Sequence, residues 1–339
     1  MRCNSPMLID AHVHLVGNGA NGSGCWYRPR GIARLTRPVL LSRFGLTGTD
    51  LRGDFDRLYL ARLLELLRDS SLDAIALFAQ DEVYREDGSC WEGRGTFFVP
   101  NNVVLDLARQ HAGILPVVSI HPARLDALDE LDRCAAAGAV ALKLLPNCHN
   151  VDCGLPRYAP FWDRMAALRL PLIAHTGCEH IIDEVRSEFG DPLRLRAPLE
   201  AGVTVIAAHC GTRSIPFERD YFPAFQAMLA VYPNLYGDTA AFNLTYRCVR
   251  FRACLQSGVV ERLVHGSDLP VPVLSHPGLF AGLFGVRDWW RLRRIRNPLE
   301  RDYQLKRAMG FPEAVFRRAA QLLRLPGPPS APAPAAVPG

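Results

Sequence analysis

The chain has 339 residues, of which 49% are hydrophobic and 22% are charged, a composition typical of a soluble protein with a full core. The formal net charge of +5 is small for this length, so charge predicts neither a nucleic-acid nor a membrane partner. No apolar run approaches the roughly 20 residues of a membrane span. Ten cysteines are scattered along the chain and residues 1–6 lack an apolar leader, which predicts a cytoplasmic protein.

Short apolar runs alternate with segments of helical periodicity along almost the whole sequence. Eight runs predict strands, at residues 7–13, 74–78, 114–120, 139–145, 171–174, 203–208, 234–236 and 262–264. Helical patterns lie between them, at residues 56–67, 103–111, 125–137, 161–168 and 222–231. This alternation predicts a parallel α/β sheet covered on both faces, and eight such units match a closed (β/α)8 barrel, the TIM barrel.

The segment after the first strand distinguishes this barrel from an open, doubly wound sheet. Residues 17–22 read Gly-Asn-Gly-Ala-Asn-Gly, which satisfies the glycine fingerprint of dinucleotide-binding sheets. Residues 23–29 show no helical pattern, so the sequence predicts no helix N-terminus that would bind the phosphates. Residues 17–49 are interpreted instead as a long insertion over the active face of the barrel.

The end of the chain changes in composition. Residues 312–325 predict a last amphipathic helix that closes the domain, which makes residues 1–325 a single barrel. Residues 326–339 are rich in proline and alanine and predict a flexible, disordered tail.

Polar residues end several of the predicted strands, where the catalytic groups of a TIM barrel lie. They are His12 and His14 at the first strand, His121 at the third, Lys143 in the fourth, His175 at the fifth, His209 at the sixth and Asp268 after the eighth. Each histidine alone could be a buried residue bonded to backbone, and Asp268 could cap a turn. Together, imidazole and carboxylate groups from separate strands suit Zn²⁺, Mn²⁺ or Fe²⁺ with positions left for water, as in a catalytic metal site.

Two of these positions have a physical signature of their own. His12 and His14 are two residues apart, so both rings can face the same side of a strand. Lys143 lies among leucines, where an ammonium group needs a partner, a neutral form or chemical modification.

Five segments resemble, in the same order, the motifs of the amidohydrolase superfamily, and most closely its amidohydrolase-2 branch of metal-dependent hydrolases and decarboxylases. They are IDAHVH at residues 9–14, ALKLLP at 141–146, AHTG at 174–177, AAHCG at 207–211 and GSDLP at 266–270. The resemblance implies that His12, His14, His175 and Asp268 bind a divalent metal, with zinc first and manganese or iron as alternatives. It implies that His209 either activates substrate or water, or binds a second metal.

The resemblance leaves two roles open for Lys143. In binuclear members a carboxylated lysine on the fourth strand bridges two metals, and in that case Lys143 and His209 would share the second ion. In many members of the amidohydrolase-2 branch the site holds one metal, and a lysine placed in this way binds an anionic group of the substrate. We favour one metal.

Other residues after the predicted strands are candidates for the wall of a substrate pocket. Arg213 is a candidate clamp for a carboxylate or phosphate, and His121 is a second candidate. Glu179, His180 and Asn147 are weaker candidates. The adjacent Cys178 and Cys210 are interpreted as small packing residues, because no free histidine pairs with either thiol.

The sequence therefore predicts a metal-dependent hydrolase that attacks an amide, lactone or ester of a small molecule with activated water, while Asp268 and His209 move protons. A decarboxylase that uses the same site is the first alternative. A non-catalytic metal-binding barrel, with the Arg- and Trp-rich residues 287–301 as its interface, is the second. The substrate and homo-oligomerisation are left open.

Overall fold

The computed structural model describes residues 5–30, 34, 38, 41–42 and 44–325, and the predicted tail lies outside them. Eight strands form one parallel sheet in which each strand pairs with its neighbour in the chain. They are β1 (Ile9–His14), β2 (Ala74–Phe78), β3 (Ile114–Val118), β4 (Ala141–Leu144), β5 (Leu172–His175), β6 (Val205–Ala208), β7 (Leu235–Asp238) and β8 (Leu263–Val264). The predicted TIM barrel is confirmed.

The barrel closes where the chain after β8 returns to β1. The Ala11 N–H donates to the His265 carbonyl at 2.9 Å, and the His14 N–H donates to the Leu269 carbonyl at 2.8 Å. Between them, the Asp268 N–H donates to the His12 carbonyl at 2.9 Å. Asp268 has a φ of 67°, a left-handed conformation in which aspartate is one of the tolerated residues. The closure thus holds Asp268 beside the histidines of β1.

Helices lie between the strands along the described residues. They include α1 (Phe55–Arg68), α2 (Asn101–Gln110), α3 (Ala127–Ala136), α4 (Pro146–His149), α5 (Ala159–Ala167), α6 (Arg196–Glu200), α7 (Phe222–Val231), α8 (Phe251–Cys254), α9 (Pro277–Phe280), α10 (Val286–Leu292), α11 (Pro298–Ala308), α12 (Glu313–Arg317) and α13 (Ala319–Leu322). The Asp54 side chain caps α1 by accepting the Arg57 N–H, which satisfies a free donor of the first turn. Phe55, Tyr59 and Leu63 then form its buried stripe at four-residue spacing.

The alternation within strands separates two apolar clusters. In β2, Ala74, Ala76 and Phe78 pack with residues such as Ile173 of β5 and Ile206 of β6. The intervening residues of β2 belong to the larger cluster that includes the helices. Because alternate side chains of a strand point to opposite faces, the first cluster fills the barrel and the second lies between barrel and helices.

Two parts of the structure differ from the sequence prediction. Residues 312–325 form two short helices, α12 and α13, and not one; Arg318 separates them and its side chain donates to the Leu263 carbonyl at the end of the barrel. The insertion also contributes a strand, Trp26–Tyr27, which pairs antiparallel with Phe97–Phe98. Strands of two residues are too short for a periodicity to predict.

None of the helices in the described part of the chain has both the length and the apolar character needed to cross a bilayer.

Candidate metal centre

Three side chains converge at the carboxyl ends of β1 and β8. The Nε2 atoms of His12 and His14 lie 3.2 Å apart, and each lies 3.2 Å from Oδ1 of Asp268. Ligands bound about 2.1 Å from a tetrahedral metal lie roughly 3.4 Å from one another. The three atoms therefore already have the spacing of ligands around one ion.

Two further histidines extend this cluster from β5 and the end of β6. The ligand atoms of His12, His209 and Asp268 all lie within 4.8 Å of one another. The rings of His175 and His209 have centroids 4.8 Å apart. Nε2 of His175 is buried and has no hydrogen-bond partner among the described residues. A buried polar atom without a partner is costly, and a metal ligand role would account for it.

Asp238, the last residue of β7, contacts two histidines of the cluster. Its Oδ2 lies 2.7 Å from Nδ1 of His12, and its Oδ1 accepts the His209 N–H at 2.8 Å. Nδ1 of His209 lies 3.0 Å from the Ala240 carbonyl. Since a carboxylate and a carbonyl only accept hydrogen bonds, both Nδ1 atoms carry the proton and both Nε2 atoms are left as potential ligands. The sequence prediction missed Asp238 because it ended this strand at residue 236.

The pKa shifts of Asp268, His14 and His209 favour the protonation states that metals require. Burial raises the pKa of Asp268, but the neighbouring His12 and the contacts of the His12 and His14 rings with its Oδ1 outweigh this effect, so the pKa lies well below its usual range. Burial lowers the pKa of His14 to about 4 and that of His209 to about 3. At neutral pH these groups are thus a carboxylate and two neutral imidazoles, the forms that bind a divalent cation. Burial lowers the pKa of His12, but the carboxylates of Asp238 and Asp268 outweigh it and the pKa is raised, so a metal ion that binds this ring would displace a proton.

Lys143 of β4 lies beside the same cluster. Its side chain is fully buried, with Nζ 3.4 Å from Nε2 of His12 and 4.9 Å from the ring centre of Phe78. Burial lowers its pKa to about 8. Lys143 is therefore close enough to take part in the site.

A cavity opens next to the cluster, and His14 and Asp268 form part of its wall. Most of the remaining wall is aromatic or aliphatic. Three of these residues, Tyr27, Leu41 and Phe44, belong to the insertion. The others are Val16, Phe55, Tyr59, Phe97, Ile181, Ile182, Leu244 and Val271. Arg247, the first residue of a short 3-10 helix after β7, also lines the cavity. Its side chain donates to the Thr212 carbonyl and hydroxyl, each at 2.9 Å, and to the Ser214 hydroxyl at 2.7 Å. The sequence prediction missed Arg247, which lies far from any strand end.

A model of the Amidohydro_2 amidohydrolase family matches residues 9–310, nearly the whole chain. The chain belongs to the Amidohydro_2 family. This family is metal-dependent, and the His12, His209 and Asp268 group is a candidate site for its ion. No curated protein matches the chain significantly.

Solved structures share the barrel with this Amidohydro_2 chain at low sequence identity. The 5-carboxyvanillate decarboxylase from Sphingomonas paucimobilis has a TM-score of 0.57 at 13% identity, over 95% of this chain and 100% of the other. An uncharacterised TIM-barrel protein from Bordetella bronchiseptica has a TM-score of 0.56 at 15% identity, over 88% and 99%. A protein designated a 2-pyrone-4,6-dicarboxylic acid hydrolase, from Pseudomonas putida, has a TM-score of 0.54 at 16% identity, over 93% and 98%. At such identities the likeness concerns the fold.

Two candidates for substrate binding in this Amidohydro_2 chain lie away from the cavity wall. Nη1 of Arg213 donates to the Pro216 carbonyl in its own loop. Both ring nitrogens of His121 contact backbone: Nε2 lies 2.7 Å from the His149 carbonyl, and Nδ1 accepts the Ala123 N–H. The structure does not bring either side chain to the cluster.

Of the weaker candidates, Glu179 and His180 line the cavity, and Cys178 lines it as well. Asn147 donates to Glu184 at 2.7 Å and is fully buried. Burial raises the pKa of Cys178 to about 12 and that of Cys210 well above its usual range, so both thiols are protonated at neutral pH, in keeping with packing roles.

Proposed function

We propose that this Amidohydro_2 chain is a metal-dependent hydrolase that cleaves an amide, lactone or ester bond of a small molecule. The observation that carries the proposal is the convergence of His12, His14 and Asp268 at the wall of the cavity. His12, His14, His175 and Asp268 would hold the ion, for which nitrogen and oxygen donors favour zinc, with manganese and iron as alternatives. When bound, the ion would polarise a carbonyl group and make water nucleophilic at neutral pH.

Two side chains, Asp268 and His209, would transfer the protons of this reaction. Ionised Asp268 lies within hydrogen-bond reach of the cluster and is suited to accept a proton from the attacking water. His209 has its Nδ1 bonded to Ala240, so its Nε2 is left to accept a proton and pass it to the leaving oxygen or nitrogen. The apolar wall would exclude bulk water from the reacting bond.

Decarboxylation at the same site is a second candidate. The largely aromatic and aliphatic wall favours it, because a carboxylate surrounded by apolar groups loses part of its solvation, which destabilises it relative to neutral CO₂. A fold neighbour designated a decarboxylase is compatible with this reaction.

Product analysis tests the proposal. The purified protein is incubated with a panel of lactones, esters, amides and aromatic carboxylates, with and without a chelator, and the products are identified by mass spectrometry. We expect products that have gained one water, and we expect turnover to stop on chelation and return with zinc. Products that have lost CO₂ would establish the second candidate. Unchanged turnover in metal-free protein, or no turnover of any substrate by the metal-loaded protein, would contradict both.

Asp132 provides a matched control for Asp268. It is a partly exposed aspartate that pairs with Arg164. Asp132→Asn should keep the wild-type rate, whereas Asp268→Asn should lose it.

A further inference from the structure

Positive charge is concentrated in one segment of the surface, residues 286–297, which we call the basic segment. It contains five arginines and one aspartate, a net charge of +4, whereas the whole chain has a net charge of +5. Although the charge of the whole chain is small, one part of its surface is therefore strongly basic. All five arginines are exposed: Arg287, Arg291, Arg293, Arg294 and Arg296.

Most of these arginines have no carboxylate partner. Arg291 pairs with Asp288 at 3.1 Å, and the other four form no ion pair within the described residues. The one other carboxylate of residues 277–300, that of Glu300, accepts hydrogen bonds from Ser71 and Gln304. Because the unpaired guanidinium groups repel one another, an anionic partner would bind to this surface favourably.

Apolar side chains are exposed within the basic segment and just before it. Phe280 is 76% exposed, Val286 is 58% exposed and Trp290 is 50% exposed. The guanidinium of Arg293 lies 4.6 Å from the ring centre of Trp289 and 4.7 Å from that of Trp290. This stacking holds a positive charge next to an apolar ring. Exposed apolar groups beside charged ones are typical of an interaction surface.

Few residues of the basic segment are buried against the barrel. Within residues 285–296, Leu292 alone is buried. The Arg293 N–H donates to the Trp289 carbonyl at 2.9 Å, and the Ile295 N–H donates to the Leu292 carbonyl at 3.1 Å. Helix α10 and the turn after it thus present the arginines on an ordered backbone, and most of the segment is left to contact a partner.

The combination of groups favours a lipid surface over a nucleic acid or an acidic peptide. Either of those partners could pair with the arginines, but the aliphatic side chain of Val286 would then stay in water. At a bilayer, arginines contact the lipid phosphates, while aromatic and aliphatic side chains enter the boundary between head groups and acyl chains. Tryptophan is enriched at this boundary.

We propose that the basic segment and Phe280 dock on an anionic lipid surface. The arginines contact the lipid head groups, and Phe280, Val286 and Trp290 enter the boundary with the acyl chains. Three apolar side chains bury little area, so the binding is reversible and depends on anionic lipid. The inference goes beyond the proposed function, because this surface lies outside the metal cluster and its cavity.

Sedimentation of the metal-loaded full chain with lipid vesicles tests the inference. One set of vesicles is phosphatidylcholine alone, and the other is an equimolar mixture of phosphatidylcholine and phosphatidylserine. We expect at least about 10-fold tighter binding to the mixed vesicles, because each arginine near an anionic surface contributes about fivefold. High salt should weaken this binding, because it screens the charges.

Two double variants separate the charged from the apolar contribution. Arg294→Gln with Arg296→Gln should weaken binding to the mixed vesicles on the order of 10-fold. Phe280→Ser with Val286→Ser should also weaken it by about 10-fold, because less apolar surface leaves water.

Arg169→Gln and Leu125→Ser are the matched controls. Both residues are exposed, Arg169 before β5 and Leu125 after β3, and neither of these strands is a neighbour of β8 or β1. Neither control should change the binding. Circular dichroism establishes that each variant is folded.

Three results would overturn the inference. One is equal binding to the two kinds of vesicle, or binding to neither. Another is undiminished binding of the folded Arg294→Gln, Arg296→Gln variant to the mixed vesicles. The third is binding of polyglutamate or of a duplex oligonucleotide as tight as that of the mixed vesicles, which would assign the surface to an acidic peptide or a nucleic acid. These outcomes do not depend on turnover, so failure of the proposed reaction is recognised separately by the product analysis.

Discussion

Asp238 shows how one residue can organise several side chains. It contacts the ring of His12 with one carboxylate oxygen and the backbone N–H of His209 with the other. It is fully buried, and although burial itself raises the pKa of Asp238, the neighbouring His12 outweighs this effect and the pKa is lowered. We infer that Asp238 is a positioning residue that fixes the orientation and tautomer of His12.

Substitution of Asp238 should weaken metal binding. Asp238→Asn keeps the size of the side chain but removes the charge that holds the proton on Nδ1 of His12, and losses of about 10- to 100-fold in metal affinity are typical for such partners. The measurement is a competition titration of zinc against a chromophoric chelator, with Asp132→Asn as the control, since Asp132 is partly exposed and pairs with Arg164. An unchanged dissociation constant for Asp238→Asn would show that His12 does not need this partner.

Residues at strand ends could be predicted from the sequence, and residues held by tertiary contacts could not. His12, His14, His209 and Asp268 follow or end apolar runs, and the structure brings them together. Arg247 begins a short 3-10 helix after β7, and it lines the cavity because Thr212 and Ser214, in the connection after β6, bind its guanidinium. Such a contact depends on the folded positions of two separate segments and leaves no pattern in the local sequence.

At the scale of elements, the end of β5 depends on a close approach of two backbone segments. A Cβ atom on Gly190 would lie 2.3 Å from the carbonyl oxygen of Gly177, two residues after His175. The Gly177 N–H donates to the Gly190 carbonyl at 2.9 Å. Only glycine at position 190 permits this pairing.

Gly190→Ala should therefore lower the free energy of unfolding by about 1–3 kcal/mol, the usual cost of overpacking. Gly285→Ala is the control, because its Cβ would meet nothing within 4 Å and its effect should stay within about 0.5 kcal/mol. Urea unfolding of both variants measures the difference. Equal stabilities would mean that the backbone moves apart at no cost.

Helix α11 supports the loop that carries Asp268. Lys306 is fully buried, donates to the Gly266 carbonyl at 2.7 Å and pairs with Asp302. Asp302 in turn accepts a hydrogen bond from Asn243 at 2.6 Å. These hydrogen bonds connect α11 to the segment between β8 and Asp268.

Breaking this buried pair should be strongly destabilising. Lys306→Met leaves Asp302 buried without its cation and should cost about 3–5 kcal/mol, whereas the double variant Lys306→Met with Asp302→Asn should lose less because no charge is left unpaired. Denaturant unfolding distinguishes the two. If the double variant is the less stable one, the charge of Asp302 is compensated by other groups.

Element positions were predicted where hydrophobic periodicity extended over several residues. Helix α7 has the predicted bounds, and the observed bounds of β2 are those of the predicted run. The strand Trp26–Tyr27 and the break at Arg318 depend on contacts with Phe97–Phe98 and Leu263. Hydrophobic periodicity carries no signal for such contacts.

At the scale of the whole molecule, the barrel brings together residues that are far apart in the chain. His12 and Asp238 are separated by 226 residues in sequence, so the candidate site exists only in the folded protein. A ligand that binds only the folded state stabilises it, by about 2.7 kcal/mol at a hundredfold excess over its dissociation constant.

Removal of metal should therefore lower the melting temperature by several degrees, and added zinc should restore it. His14→Ala should respond much less, because one nitrogen of the cluster is lost. Differential scanning calorimetry with and without chelator measures both shifts. Equal shifts in the wild-type protein and in His14→Ala would place the stabilising ion elsewhere.

The central claim of this account is that the cluster of His12, His14 and Asp268 holds a divalent ion on which the activity depends. Elemental analysis of the purified wild-type protein and of folded Asp268→Ala tests it most directly. We predict about one ion per wild-type chain and loss of most of that metal in Asp268→Ala. The same metal content in both proteins would contradict the claim.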